Sequence, residues 1–212
     1  MYNCASCKGQ GCYANDEKKM MKVCPTKDKE MREKARALYH EGDNMKIAHN
    51  AAEVEAQGYC QWTRIKEIIE FSKKCGYKKL GLAFCIGLSD EAEIARKIFR
   101  NHGFEVASIA CKNGAIPKSE IGIESGCTVS REPDEENMCN PIGQALFLNE
   151  EKTDLNILFG LCVGHDTLAI KYMDAPVTVL VAKDRVTGHN PIAAIYNAGS
   201  YFKERLKPDD EQ

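Results

Sequence analysis

The sequence lacks the features that would place a protein in a membrane or on a nucleic acid. No apolar run approaches the roughly 20 residues that a bilayer-spanning helix needs, and the first 12 residues contain no apolar signal core. The 29 basic residues are balanced by 31 acidic ones. Even the basic stretch at residues 27–34 contains three acidic side chains, whereas a surface that tracks phosphates needs clustered positive charge. We therefore expect a cytoplasmic protein with no membrane and no nucleic-acid partner.

Signatures of nucleotide-binding loops are also missing. The pattern GxxxxGK[ST], whose backbone cradles phosphates, does not occur. The segment after the first predicted strand, residues 85–92, lacks the three spaced glycines of a dinucleotide turn. It also places Asp90 and Glu91 in the first helical turn, where a pyrophosphate would sit. The sequence therefore argues against a nucleotide cofactor.

What the sequence has in excess is cysteine, with 11 among its 212 residues. Secreted miniproteins use many cysteines as disulfide staples because they cannot build a core. This chain is 43% hydrophobic, which is enough for a substantial core. In a reducing compartment, clustered thiols are metal ligands or catalytic groups.

Residues 1–27 contain the first cluster of cysteines and little that can be buried. The cluster is Cys4, Cys7, Cys12 and Cys24, with Pro25 directly after it. A segment without a core needs another source of order, and metal binding supplies folding energy. Zinc and a [4Fe–4S] cluster both accept four thiolates, so both stay open here. A redox disulfide and incidental thiols in a disordered tail are the alternatives.

The rest of the chain predicts an α/β fold. Residues 28–76 have helical periodicity in three stretches, at 28–40, 44–57 and 61–75. From residue 77 onward, apolar runs of strand length at 80–85, 104–111, 155–162 and 177–182 alternate with helical stretches at 89–102, 141–149 and 166–173. This alternation is typical of a mainly parallel, four-stranded sheet with helices on both faces. We thus divide the chain into a cysteine-rich segment (1–27), a helical segment packed on the sheet (28–76) and an α/β domain (77–212).

A second cysteine cluster is dispersed along this α/β domain. Cys85, Cys111 and Cys162 end the first three strands, and all carboxyl ends of a parallel sheet lie on one edge. With the strand order 2-1-3-4, Cys85 and Cys162 flank the switch point, where open α/β folds bind ligands. Cys139 precedes Asn140 and Pro141, which predict a helix start there. Four such thiols predict a cluster site; the alternative is four small buried hydrophobes.

Residues 112–138 form a long polar loop that interrupts the pattern, and loops of this length are usually lids, binding loops or disordered segments. Its Cys127 is the alternative to Cys139 as fourth ligand. Cys75 is predicted to be a core residue, and Cys60 has no assigned role.

Residues 78–150 and 154–196 look like two divergent copies of one β-loop-α-β-loop-α unit. Cys85-Ile-Gly matches Cys162-Val-Gly, and Cys139-Asn-Pro-Ile matches His189-Asn-Pro-Ile. Lys112 and Lys183 then face one shared site, and His189 takes the place of Cys139. We expect Lys112, His165, Lys183 and His189 to handle charge and protons, with Arg185 assisting them. For Asp166 the simpler interpretation is a helix cap.

Several longer motifs resemble one known family. They are Ala52-Glu-Val-Glu55, Phe84-Cys-Ile-Gly-Leu88, Cys111-Lys112, Cys139-Asn-Pro-Ile-Gly-Gln144, Gly160-Leu-Cys-Val-Gly-His-Asp166, Lys183-Asp-Arg185 and His189-Asn-Pro191. Together with the N-terminal cysteine pattern, they span nearly the whole chain and resemble domain of unknown function 1847, cysteine-rich metal-binding proteins found largely in anaerobes. The resemblance implies an α/β fold and metal binding but no reaction. Cys75 and Cys127 depart from the pattern of that family.

Two hypotheses from different functional classes follow. The first is a redox or sulfur-handling enzyme with a [4Fe–4S] cluster on Cys85, Cys111, Cys139 and Cys162 and a small anionic substrate. The second is a non-catalytic electron or metal carrier or sensor, which meets a redox partner protein and whose N-terminus is stapled by zinc. A substrate-sized pocket beside the strand-end thiols favours the enzyme.

Overall fold

The computed structural model describes residues 1–208, which form two compact units, Met1–Gln57 and the part of Gly58–Gln212 within that range. The helical segment at 28–76 is shared between them, because its last helix belongs to the second unit. Within residues 1–208, no helix combines the length and apolarity that a membrane crossing requires. All 11 cysteines lie in this range and are free thiols.

The first unit begins with short turns and ends with two long helices. Its helices are α1 (Gly11–Ala14), α2 (Lys29–Leu38) and α3 (Asn44–Gly58), where α3 runs one residue past the unit. Helix α2 begins after Asp28, whose Oδ1 accepts the amide of Met31 at 3.0 Å. The predicted boundaries of both long helices are confirmed within two residues.

Close backbone packing orders the cysteine-rich segment. A Cβ on Gly9 would lie 2.3 Å from the carbonyl oxygen of Lys19, and one on Gly11 would lie 2.5 Å from that of Asp16. Neither glycine has a positive φ, so both are needed for close approach rather than for a left-handed conformation. Gly11 is the only buried residue among residues 1–27.

The second unit is built on a four-stranded parallel sheet. After α4 (Arg64–Lys74), its strands and helices are β1 (Lys79–Phe84), α5 (Ser89–Asn101), β2 (Glu105–Ala110), α6 (Pro141–Glu150), β3 (Leu155–Leu161), α7 (His165–Tyr172), β4 (Val177–Ala182) and α8 (Ile192–Tyr196). The strand order is β2-β1-β3-β4, with all pairs parallel. This confirms the predicted fold class and the switch point between β1 and β3.

Helices cover both faces of the sheet. On one face, α4 and α5 supply Ile69 and Phe99 to a core that contains Leu80, Leu82 and Ile157. On the opposite face, α6 and α7 supply Leu148 and Ala169 to a core with Ala83, Leu158 and Leu161. The central strand β3 is buried along its whole length, as expected for a parallel sheet covered on both sides.

The two halves of the sheet repeat one order of elements. Strand, helix, strand, loop and helix occur as β1-α5-β2-α6 and again as β3-α7-β4-α8. At the end of the first pair, Phe84 faces Ala110; at the end of the second, Leu161 faces Ala182. The element order therefore agrees with the duplication suggested by the sequence.

Candidate functional site

The register of the sheet brings the strand-end residues to one edge. Cys85 and Cys111 directly follow the paired residues Phe84 and Ala110, and Cys162 and Lys183 directly follow Leu161 and Ala182. The amide of Cys111 donates to the carbonyl of Phe84 at 2.9 Å, which continues the ladder one step past the strand. Sheet geometry alone therefore places two residues from each half at the same level.

Strand β3 reaches this edge through a bulge. Its register with β4 shifts on both sides of Phe159, and Gly160 has φ +68. A Cβ at Gly160 would lie 2.2 Å from Cδ1 of Leu88 and 3.6 Å from Cε of Lys183. Bulges re-aim side chains next to functional sites, and this one lies two residues before Cys162.

The fourth thiol, Cys139, lies just before helix α6, and this helix is bonded to the ends of β1 and β2. Asn140 caps the helix by accepting the amide of Gly143 at 2.8 Å, and Pro141 is its first residue, as the sequence predicted. The fully buried Gln144 donates through Nε2 to the carbonyls of Phe84 at 3.1 Å and Ile109 at 2.7 Å. Cys139 and the ends of β1 and β2 are thus held in fixed relation.

The four thiols line one cavity of about 990 Å³, within the size range of ligand sites. The long loop at 112–138 also lines this cavity, together with Lys183 and its neighbours. The lining contains Cys85, Cys111, Lys112, Lys118, Arg131, Glu135, Glu136, Cys139, Cys162, His165, Lys183, Asp184, Arg185 and His189. Every site residue predicted in the α/β domain therefore borders the same space.

Three of the thiols form a hydrogen-bonded chain. The Sγ atoms of Cys139 and Cys111 are 3.7 Å apart, and Cys85 bonds to Cys111 in turn. The bond from Cys111 lowers the pKa of Cys139 to about 7. The bond to Cys111, together with burial, raises the pKa of Cys85 to about 12, and the pKa of Cys111 is raised chiefly by its bond to Cys139. In the metal-free protein, Cys139 is thus the first of the three to ionise.

Cys162 has a different partner. Its Sγ lies 3.2 Å from Nη2 of Arg185, and this contact raises the pKa of the guanidinium. His165 opens helix α7, and burial, followed by the charge of Lys112, lowers its pKa. His165 is therefore neutral at pH 7. Asp166 is not the helix cap that the sequence suggested, because the helix already begins at His165 and its N-cap residue is Gly164.

The loop at 112–138 is anchored by a buried carboxylate. Oε2 of Glu136 accepts backbone amides from Val129 at 3.0 Å, Ser130 at 2.7 Å and Arg131 at 3.2 Å, and its other oxygen pairs with Lys118. The ion pair with Lys118, followed by these amide bonds, lowers the pKa of Glu136 to about 2. Lys112 donates to the carbonyl of Asn137, and an isolated bridge joins Pro117 to Asn137. The loop is therefore an ordered part of the cavity wall.

The remaining cysteines lie elsewhere. Cys75 is 2% exposed and belongs to the core, as predicted. Cys60 and Cys127 are exposed, and Cys127 is absent from the cavity lining. Cys139, rather than Cys127, therefore lies beside the other thiols.

The N-terminal thiols are more exposed than the cavity thiols. Cys4 and Cys12 are exposed, and Cys7 and Cys24 are half-buried. In the described part of the chain, no group of three or more His, Cys, Asp or Glu side chains is arranged to hold a single metal ion. No such group occurs among the N-terminal thiols or among the cavity thiols.

Fold and site together define a class: a parallel α/β protein whose sheet ends in a cysteine-lined cavity at the topological switch point. The profile of the family described as "Protein of unknown function (DUF1847)" matches residues 24–180, and the chain belongs to this family. An uncharacterised protein of Methanocaldococcus jannaschii is 43% identical over 203 residues, covering 96% of this chain and 97% of the relative. The match confirms the family suggested by the sequence motifs and assigns no reaction.

Proposed function

We propose that Cys85, Cys111, Cys139 and Cys162 bind an iron–sulfur cluster in the cavity beneath the loop at 112–138. The observation that carries this proposal is the convergence of four free thiols, from three strand ends and one helix start, on a single cavity. The donor set fits the group, because four thiolates are the usual ligands of such clusters.

We favour a cluster over a single zinc ion because of the size of the cavity. The four thiols border a space of about 990 Å³, and residues 1–208 contain no group of three or more ligand side chains arranged around a single ion. An iron–sulfur cluster would supply one-electron transfer or, with an open coordination position, Lewis acidity.

The surrounding residues compensate for the charge of the thiolates. The charge of Lys183 partly offsets the rise in the pKa of Cys85, that of Lys112 contributes to the lowered pKa of Cys139, and Arg185 contacts Cys162. Cations of this kind would stabilise thiolates bound to a metal.

We further propose that the protein is an enzyme that uses this site for redox or sulfur chemistry on a small anionic substrate. A cavity of ligand size with perturbed ionisable groups beside the thiols supports an enzyme. A carrier of electrons or metal would need only an accessible metal centre. Lys112, His165, Lys183 and His189 are the proposed charge and proton handlers.

A second metal site on Cys4, Cys7, Cys12 and Cys24 is proposed on narrower grounds. Four free thiols lie in a segment with no apolar core, and metal binding would then contribute to its folding. Zinc and a [4Fe–4S] cluster are both compatible with this donor set.

The test is the content of iron, zinc and acid-labile sulfide per chain in protein expressed and purified without oxygen. Roughly four irons per cluster are expected, and Cys85→Ala and Cys162→Ala should each lose the iron of the cavity site. Cys75→Ala is the matched control, because this thiol lies in the core and should leave the metal content unchanged. Cys4→Ala combined with Cys7→Ala reports on the N-terminal site alone. Wild-type iron in Cys85→Ala and Cys162→Ala would exclude the cavity cluster.

A further inference from the structure

The two repeats contribute chemically different halves to the cavity. The first repeat supplies the three bonded thiols Cys85, Cys111 and Cys139. In the second repeat, Lys183 follows the paired strand-end residue Ala182 as Cys111 follows Ala110 in the first, and His189 matches Cys139. Lys183 and Arg185 both belong to the cavity lining. The first half therefore supplies three of the four thiols, and the second supplies one thiol together with Lys183 and Arg185.

Most of the donors of the second half have no partner in the protein. Within residues 1–208, the ammonium of Lys183 makes no hydrogen bond or ion pair, and the only hydrogen-bond partner of the Arg185 guanidinium is the Cys162 sulfur. A guanidinium has five N–H donors in a planar fork that suits oxyanions. Charged donors that face a cavity without acceptors are what an anionic ligand requires.

His189 is fixed as a further donor. Its Nδ1 accepts the backbone amide of Asp184 at 3.0 Å, so the neutral ring carries its proton on Nε2. Its own amide donates to the carbonyl of Asp184 at 2.7 Å. These two bonds hold His189 at φ +66, a left-handed conformation that non-glycine residues rarely adopt. Strained backbone of this kind is concentrated at functional sites.

The carboxylate of Asp184, the acidic residue of this loop, already accepts hydrogen bonds within the loop. Oδ1 of Asp184 accepts the amides of Val186 at 2.9 Å and Thr187 at 3.0 Å, so its carboxylate caps the turn and does not pair with Lys183 or Arg185. Hydrogen bonds from Thr187 lower the pKa of Asp184. The two cations are therefore left with charge that the loop itself does not neutralise.

We propose that Lys183, Arg185 and His189 bind a small oxyanion of sulfur or phosphorus beside the sulfur of Cys162. The three side chains offer only N–H donors to such a ligand, which has only acceptors. Because the Arg185 guanidinium contacts Cys162, an oxyanion bound to the same guanidinium would lie next to that thiol. The inference rests on the proposed function only in treating the cavity as a substrate site; it does not depend on which metal the thiols hold.

The experiment is calorimetric titration of the full chain, purified without oxygen, with sulfite, thiosulfate, sulfate and phosphate at constant ionic strength. One anion is expected to bind saturably, and Lys183→Gln and Arg185→Gln should each weaken it by about ten-fold or more, as expected for loss of a charge-assisted hydrogen bond. Lys97→Gln and Arg100→Gln remove equal charge from exposed positions on α5 and should bind as the wild type does. A preference for the reduced sulfur anions or for phosphate identifies the ligand.

Two results would overturn this site. One is the absence of saturable binding for all four anions in folded protein, and the other is unchanged affinity in Lys183→Gln and Arg185→Gln. Thermal melting of each variant verifies that it is folded. Iron is measured on the same samples, so the two proposals separate: iron-loaded protein that binds no anion refutes the oxyanion site, whereas anion binding without iron refutes the cluster.

Discussion

Replacing Gly160 by alanine tests whether the β3 bulge is required by close packing. Alanine at a left-handed φ is destabilised by about 1–2 kcal/mol relative to its normal conformation. Its Cβ would also lie 2.2 Å from Cδ1 of Leu88, and overpacking of a core adds about 1–3 kcal/mol. Gly160→Ala should therefore lower the free energy of unfolding by about 2–5 kcal/mol.

Gly103→Ala is the matched control for this change. Gly103 also has a positive φ, +92, but nothing lies within 4 Å of the position of an added Cβ. Its substitution should thus reveal the backbone contribution alone, about 1–2 kcal/mol. The difference between the two variants measures the steric contribution of Leu88.

The assay is urea unfolding of metal-free, reduced protein followed by the fluorescence of Trp62. This is the only tryptophan of the chain, and it lies in the second unit. A double-mutant cycle with Leu88→Ala adds a direct test, because removing the Leu88 side chain removes the clash. The double variant should be about 1–3 kcal/mol more stable than additivity predicts. Equal losses in Gly160→Ala and Gly103→Ala, or strict additivity in the cycle, would refute the packing argument.

Three further predictions concern the walls of the cavity. Gln144→Ala, which removes two donated hydrogen bonds and leaves a void, should lower the free energy of unfolding by about 2–4 kcal/mol, whereas the exposed Gln61→Ala should change it by less than about 0.5 kcal/mol. The pKa of Glu136 is lowered from 4.5 to about 2, so its stabilisation of the loop is complete above pH 4.5 and is lost as the pH falls towards 2. The protection factor of the Val129 amide, which is its exchange rate relative to the intrinsic rate at each pH, should fall over that range, and Glu136→Gln should have low protection throughout; pH-independent protection in the wild type would contradict the assignment. In metal-free protein, the rate of Cys139 alkylation plotted against pH should have its midpoint near pH 7. Cys111→Ala should raise that midpoint, which peptide mass spectrometry can measure. An unchanged midpoint would contradict the hydrogen-bonded chain.

Much of the fold follows from local sequence patterns. All four strands were predicted within one residue of their ends, and strand-length apolar runs between helices sufficed because both faces of the sheet are covered. The placement of Cys85, Cys111 and Cys162 followed from topology alone, since parallel strands end at one edge. The start of α6 was readable from Asn140 and Pro141, whose capping chemistry is local.

What the sequence did not reveal depends on contacts between distant segments. Gly160 reads as an ordinary strand residue, because the bulge arises from register with β4 and from the proximity of Leu88. Glu136 is one of several acidic residues in a polar loop, and nothing local distinguishes the one that accepts three amides. Gln144 had a weak signal, as a polar residue among the apolar residues of α6, but its two acceptors lie 35 and 60 residues away.

The buried amide of Gln144 also bears on how the proposed cluster would enter and leave the cavity. Because it joins α6 to the ends of β1 and β2, three of the four thiols keep their positions in a protein without metal. Loading and loss of the proposed cluster would then not require unfolding of the domain. In a cell, occupancy of this cavity would follow the supply of metal and sulfide at each moment, independently of when the chain was synthesised.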